Sequence, residues 1–245
     1  MTIVVTGASR GLGKAVATRL SAVPVTRADG DMSRMDDVRR LASLIAERYP
    51  DLNVLINNAG VSKFDRVVTS DGLETTFATN YAAPFLLTNL LLPTLARNAG
   101  VIVNVTSEQH RFVRAIPWDD LQAEKRWRPI EQYSLTKLYL VLFTRELAKR
   151  APSITATCVS PGFLRTDLGR EARGSFRVFL TLARPFQRSP ERGAEAVVAA
   201  MNSSVSGAYF RGTRQAPPSK LALDDSTAAR LWELSARGLE AAQLG

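Results

Sequence analysis

Cysteine is nearly missing from this chain of 245 residues: Cys158 is the only one, which rules out an internal disulfide and any cysteine-based metal centre. No metal is expected. Long apolar runs are missing too. The greasiest stretch, Tyr81 to Leu95, is broken by Pro84, Thr88, Asn89, Pro93 and Thr94, and is too short and too polar to span a bilayer. The chain reaches Thr6-Gly7 straight after Met1-Thr-Ile-Val-Val, with no room for the basic and apolar parts of a secretory leader. A reducing cytoplasm is the expected location.

Lysine is scarce as well, since 26 of the 32 basic residues are arginine. A net charge of +9 attracts polyanions whatever the fold. The arginines are, however, spread along the whole chain, with no lysine-rich tail and no basic run interleaved with aromatics. Nucleic acid is therefore not an expected partner. An anionic cofactor or substrate explains the charge more economically.

What is present is the pattern of one α/β domain, with 45% apolar residues. Thr2 to Thr6 reads as a short buried strand; Gly7-Ala-Ser-Arg-Gly11-Leu-Gly13 follows at once, then an amphipathic run with Val16, Leu20 and Val23. Glycines at such a turn allow close backbone approach, and the N–H groups opening the helix offer partial positive charge to a phosphate. The spacing differs from the general Gly-x-Gly-x-x-Gly fingerprint, but its place at the first strand-to-helix junction favours cofactor binding over a bare turn. Val23 to Arg27 reads as a second strand, and Asp29-Gly-Asp31-Met-Ser33 runs almost directly into a helix from Met35 to Arg48. A nucleotide-binding half ordinarily has a further helix and strand there, so the adenine side is expected to be open. Arg10 and Arg27 favour a 2′-phosphate, hence NADP(H) over NAD(H), whereas Asp29 could instead take the ribose hydroxyls.

Leu52 to Ile56 gives the next strand, ending in Asn57-Asn58-Ala59-Gly60, which can turn the backbone beside a ligand. A helix is expected from about Ser70 to Arg97, with Asn80 inside it needing a backbone carbonyl or an ordered water if buried. Gly100 to Thr106 reads as a parallel-sheet strand, with Ser107 at its carboxyl end, where ligands of open α/β sheets bind. His110, the only histidine, is assigned to the surface or to a supporting role. Tyr133 and Lys137 are four residues apart on a helix, so they lie one turn apart on one face. Lys137 is expected to lower the phenol's pKa from its ordinary value of ~10, bringing Tyr133 into acid/base work near neutrality. Ile154 to Val159 is a further strand, closed by Ser160-Pro161-Gly162. Residues 163–189 read either as a basic, greasy lid or as a solvated helix packed on the core. A helix over 190–202, a strand over 207–211 and a helix over 226–242 complete the chain.

Together, Thr6-Gly-Ala-Ser-Arg-Gly-Leu-Gly13, Asn57-Asn-Ala-Gly60, Asn80, Ser107, Tyr133-x-x-x-Lys137 and Pro161-Gly162 resemble the classical short-chain dehydrogenase/reductase family over nearly the whole chain. Trp118 to Lys125, Leu142 to Ala148 and Gly207 to Phe210 are similar to its retinol-dehydrogenase-like branch. The resemblance implies a doubly wound parallel sheet of Rossmann-like α/β type, a single domain over 1–245, shortened after the second strand. It implies a catalytic set of Asn80, Ser107, Tyr133 and Lys137. Tyr133 would exchange the proton with the carbonyl oxygen, Lys137 would tune it and hold the nicotinamide ribose, Ser107 would hydrogen-bond the substrate, and Asn80 would support a water reaching Lys137. For the cofactor it implies Gly7, Ser9, Arg10, Gly11, Leu12, Gly13, Arg27, Asp31, Met32, Asn58, Ala59, Gly60, Tyr133, Lys137, Pro161, Gly162 and Thr166.

The expected activity is NADPH-dependent reduction of a bulky, largely apolar ketone or aldehyde, or its reverse. Imine or alkene reduction, redox-neutral elimination or cyclisation, and NADP redox sensing stay open. Family members acting on retinoids commonly carry an N-terminal membrane anchor, which this sequence does not show, so a membrane-dissolved retinoid is disfavoured. The expected partner is a small apolar molecule, with a homodimer or homotetramer through the helices at about 70–97 and 131–150, although the branch includes monomers. Arginine-rich composition suggests a high-GC bacterium, and with it a tailoring step in secondary metabolism.

Overall fold

Apolar β-branched runs that carry no alternation must be buried on both faces, and in this protein they form the middle of one sheet. The computed structural model describes residues 1–164 and 187–241. In chain order it comprises β1 (Thr2–Thr6), α1 (Gly11–Leu20), β2 (Val23–Val25), α2 (Met35–Arg48) and β3 (Leu52–Asn57). A single turn α3 (Thr75–Phe77) leads through a π-helical turn (Ala78–Ala82) into α4 (Ala83–Arg97). There follow β4 (Val101–Val105), α5 (Pro129–Arg150), β5 (Thr155–Ser160), α6 (Pro190–Met201), β6 (Tyr209–Arg211), β7 (Arg214–Gln215) and α7 (Asp225–Ala241).

The sheet has strand order β2-β1-β3-β4-β5-β6-β7, parallel throughout except for the antiparallel β6–β7 hairpin. Helices α1 and α6 cover one face, where Val16, Val197 and Ala200 pack on Val5, Ile56 and Val159. Helices α2, α4, α5 and α7 cover the other, around Leu55, Leu91, Leu138, Phe143 and Leu231. The carboxyl ends of β1, β3, β4 and β5 therefore open together at one edge. This is the α/β doubly wound arrangement the motifs imply.

The second strand ends at Val25, two residues sooner than expected, because Asp29 Oδ2 accepts from both Thr26 N and Thr26 Oγ1 at 2.8 Å and closes a tight turn. Among the described residues β2 is consequently the edge strand of the sheet. The long helix expected from Ser70 begins only at Thr75, since the buried carboxylate of Glu74 caps it, accepting from Thr76 N and Phe77 N at 2.7 Å. The β7 strand was not expected. Residues 165–186, most of the segment read as a lid, lie outside the described residues, and Thr166 lies there with them.

Helix α7 packs against α4 and α5, the helices through which a homodimer or homotetramer was considered. The Trp232 ring packs 5.0 Å from Phe85 and 5.7 Å from Phe143, and the Arg150 guanidinium sits 4.8 Å over it. Ser235 shares a 2.7 Å hydrogen bond with Tyr81, while Asp225 pairs with Arg145 and Lys149 at 2.8 and 2.7 Å. Among the described residues no helix is long and apolar enough to cross a membrane.

Candidate active site

The turn after β1 is built by close backbone approach. Gly7 has φ +68°, and a Cβ there would come 2.7 Å from Ala59 Cα. A Cβ on Gly13 would come 2.2 Å from Gly7 O and 2.5 Å from Asn58 Nδ2. Gly11, also at positive φ, opens α1, whose capping position is Arg10 with no side-chain cap and no acidic residue in the first turn. The first N–H groups of α1 thus present uncompensated partial positive charge, which suits a phosphate. Leu12 packs its side chain into the core, so only its backbone faces this edge; Ser9 and Arg10 are exposed on the turn.

Asn58 ties that turn to β3 by donating from Nδ2 to Thr6 O at 2.8 Å. Thr6 Oγ1 accepts from Asn58 N at 3.0 Å and Ala59 N at 3.1 Å. Thr6, which the sequence offers as the end of a strand and the start of the glycine motif, thus also shapes the turn through its side chain. Beside Gly60 lie two functional side chains, because its Cβ position is 3.4 Å from Asn80 Oδ1 and 3.5 Å from Lys137 Nζ. Asn80 is completely buried within the π turn. It accepts from Val61 N at 2.8 Å and donates to Val61 O at 2.9 Å and to Thr136 Oγ1 at 3.2 Å. Its amide therefore meets the backbone carbonyl expected for it, in a helix locally widened at that residue.

Lys137 is buried, with Nζ donating to Val105 O at 3.0 Å, and its own carbonyl accepts from Thr106 Oγ1 at 2.8 Å. Nζ lies 5.6 Å from the centroid of the Tyr133 ring, so the four-residue spacing brings the two together. The Ser107 side chain lies near the phenol and acts on it. The electrostatic outcome differs from the expectation. Burial pushes Tyr133 up to about 12, the Ser107 contact acting against it, and burial pushes Lys137 down to about 8. Desolvation of two charged forms outweighs their proximity. Ser107 itself, extended at φ −151°, opens a 3₁₀ turn over Glu108–Phe112, its Oγ accepting from Gln109 N at 3.3 Å.

At the open adenine side, Arg27 donates to Asp31 at 2.7 Å with 84% of its side chain exposed. Asp31 Oδ1 accepts from Ser33 N and Ser33 Oγ. Met32 points into the core, leaving only its backbone for a ligand. The carboxylate of Asp29, the residue that argued against a 2′-phosphate, is held by Thr26. Pro161 and Gly162 follow β5 at the same edge, Gly162 with φ +93° beside Arg188. His110 departs from the surface alternative: it is fully buried behind Ser107. Among the described residues no group of three or more histidine, cysteine or acidic side chains could hold a metal.

The family model described as short chain dehydrogenase matches residues 22–175. The human protein named retinol dehydrogenase 13 is 35% identical over 98% of this chain and 85% of its own length. A protein of Streptomyces sp. (strain C5) named "Putative daunorubicin C-13 ketoreductase DnrU" is 31% identical over 96% of this chain and 91% of its own. A crystal structure of a Mycobacterium paratuberculosis protein superposes with TM-score 0.78 at 28% identity, covering 98% of this chain and 93% of the other.

Proposed function

Given that the chain belongs to the classical short-chain dehydrogenase/reductase family, in its retinol-dehydrogenase-like branch, and is an oxidoreductase, we propose that it is an NADPH-dependent reductase of a bulky, largely apolar ketone or aldehyde. The observation that carries the reading is the meeting of Tyr133 and Lys137, with Nζ 5.6 Å from the ring centroid, near Ser107 at the carboxyl end of β4.

When bound, the nicotinamide supplies the hydride. Tyr133 Oη gives its proton to the carbonyl oxygen, and the Ser107 hydroxyl donates to the same oxygen as negative charge develops there. The Lys137 cation favours the phenolate left behind. Asn80 keeps the π turn and the Val61 backbone in place beside Lys137. The pyrophosphate would be held by the turn of Gly7, Ser9, Arg10, Gly11, Leu12 and Gly13. Tyr133 and Lys137 would take the nicotinamide ribose, and Asn58, Ala59, Gly60, Pro161 and Gly162 would wall the nicotinamide end. Asp31 and the Met32 backbone would face the adenine.

NADP(H) over NAD(H) is supported by Arg10 and Arg27 and by the engagement of Asp29 with Thr26. An exposed pair such as Arg27–Asp31 holds weakly, so its guanidinium is available to a 2′-phosphate. Bulk and apolarity of the substrate are supported by exposed Phe112, Ile130 and Phe163, which lie in the segments adjoining Ser107, Tyr133 and Gly162. Similarity to the Streptomyces protein named as a daunorubicin ketoreductase supports a place in bacterial tailoring chemistry.

The test is NADPH consumption by purified protein over a panel of bulky ketones, aldehydes and cyclic imines. A carbonyl is expected to be turned over, and Tyr133→Phe to lower kcat by ~10²–10³ while leaving NADPH affinity unchanged. Turnover of imines alone would replace carbonyl reduction with the other chemistry. Equal affinity for NADPH and NADH, unaltered in Arg27→Ala, would remove the cofactor preference.

A further inference from the structure

Behind Ser107 the only histidine joins two parts of the chain that are a hundred residues apart. His110 Nε2 accepts from the backbone N–H of Ser219 at 3.1 Å. A peptide N–H can only donate, so Nε2 carries no proton and the ring is the Nδ1–H tautomer. Nδ1 lies 2.7 Å from Ser107 O and must be the donor to it. The His110 backbone N–H reaches the same carbonyl at 3.2 Å. The imidazole is therefore a strut with a fixed polarity, from the Ser107 carbonyl to the segment that follows the β6–β7 hairpin.

That segment is a rigid anchor. Pro217 and Pro218 restrict the backbone and supply no N–H, so Ser219 provides the first free donor after Ala216. Arg111, on the same turn as His110, donates to Pro217 O. The ring's edge meets Tyr209 of β6 at 5.1 Å, and the Tyr209 hydroxyl donates to Glu108, which also pairs with Arg111 and Arg211 at 3.1 and 3.3 Å. Among the described residues, Glu108 and Arg111 are the charged groups that act on the ring, with Tyr209 against its edge. Burial keeps the imidazole neutral by pushing its pKa below the ordinary range, and a protonated Nε2 would face a second donor at Ser219.

Taking Ser107 as the substrate hydrogen-bonding group proposed above, we propose that His110 is a positioning residue, whose two hydrogen bonds clamp the Ser107 backbone between its own turn and the Ser219 segment and so aim the Ser107 hydroxyl. Only the Nδ1–H bond acts directly on Ser107. His110→Asn can keep a donor near the Nδ1 position, whereas His110→Phe fills the space with no donor at all.

Two measurements test this. As the molecule has one histidine, ¹⁵N–¹H correlation of its imidazole reads a single ring, and the expected result is the Nδ1–H tautomer at neutral pH; the Nε2–H tautomer would overturn the strut. In steady-state kinetics on a reducible carbonyl, His110→Phe is expected to lose ~10–10²-fold in kcat, with NADPH affinity unchanged and most of the loss recovered in His110→Asn. Equal kcat in wild type and His110→Phe, or equal losses in both variants, would assign the ring to packing alone. Were the wild type to reduce no carbonyl, the reaction proposed above would fall, and the clamp would be decided by the Ser107 ¹³C shifts. Displaced in His110→Phe and retained in His110→Asn, they support it; unmoved in both, they overturn it.

Discussion

A lysine placed out of water beside one carbonyl oxygen is held at a cost. The Lys137 pKa falls from 10.5 to about 8 on burial, which corresponds to roughly 3 kcal/mol against the charged form. Because the folded pKa of this base lies below the unfolded one, its penalty is complete below about pH 8 and relaxes as pH rises toward the unfolded value, where only the unfolded chain still binds the proton. Lys137→Met is therefore expected to be more stable than wild type at pH 7 by about 1–3 kcal/mol, with the difference shrinking between about pH 8 and 10. Urea unfolding of both proteins at the two ends of that window measures it. A less stable variant at pH 7 would show that the Val105 hydrogen bond outweighs desolvation.

Tyr133 acts in the opposite sense. With its pKa pushed up to about 12, the protonated phenol is at hand for reduction throughout the neutral range, while the phenolate needed for alcohol oxidation is scarce. Oxidation is expected to accelerate steadily from about pH 7 to 10, and reduction to stay level until Lys137 loses its proton. Initial rates in the two directions across that range decide the matter; an oxidation optimum at neutral pH would mean that the phenol titrates far lower in the working complex. The pair's proximity was legible from a four-residue spacing. The balance of its electrostatics was not, because desolvation depends on everything packed around the two groups. His110 was hidden for the same reason: its burial is set by Tyr209 and Ser219, far away in sequence.

At the level of elements, the strands most apolar in sequence are the ones the sheet buries on both sides, which is why β1, β3, β4 and β5 could be read to within a residue or two. The π turn at Ala78–Ala82 could not, since a change of backbone hydrogen-bond register leaves no signature in side-chain pattern. The β7 strand, Arg214–Gln215, is exposed and polar, so nothing in its periodicity announces it. The glycine turn has a stricter logic. Since a Cβ on Gly13 would fall 2.2 Å from Gly7 O, the turn and α1 cannot both stay where they are in Gly13→Ala. This variant is expected to weaken NADPH binding at least ~10-fold and to lower stability by about 2 kcal/mol. Fluorescence titration with thermal melting checks both, and unchanged binding would separate this turn from the cofactor.

At the level of the whole molecule, the C-terminal helix occupies the α4–α5 face with aromatic contacts and ion pairs. A second subunit docking there would first have to displace it, forfeiting those contacts. The protein is expected to sediment as a monomer of 26.8 kDa. Trp232→Ala, which empties the space between Phe85 and Phe143, should cost about 2–4 kcal/mol in unfolding free energy. A stable dimer in wild type would locate the interface elsewhere on the surface.

The short β2 strand has a consequence for solubility. A parallel sheet that stops one strand early exposes a row of backbone donors and acceptors to any other extended chain, the ordinary route to edge-to-edge aggregation. Here that boundary is only three residues long, and its middle residue is Pro24, exposed and without an N–H to offer. The shortened chain therefore ends its sheet on a strand that another extended segment can hardly extend.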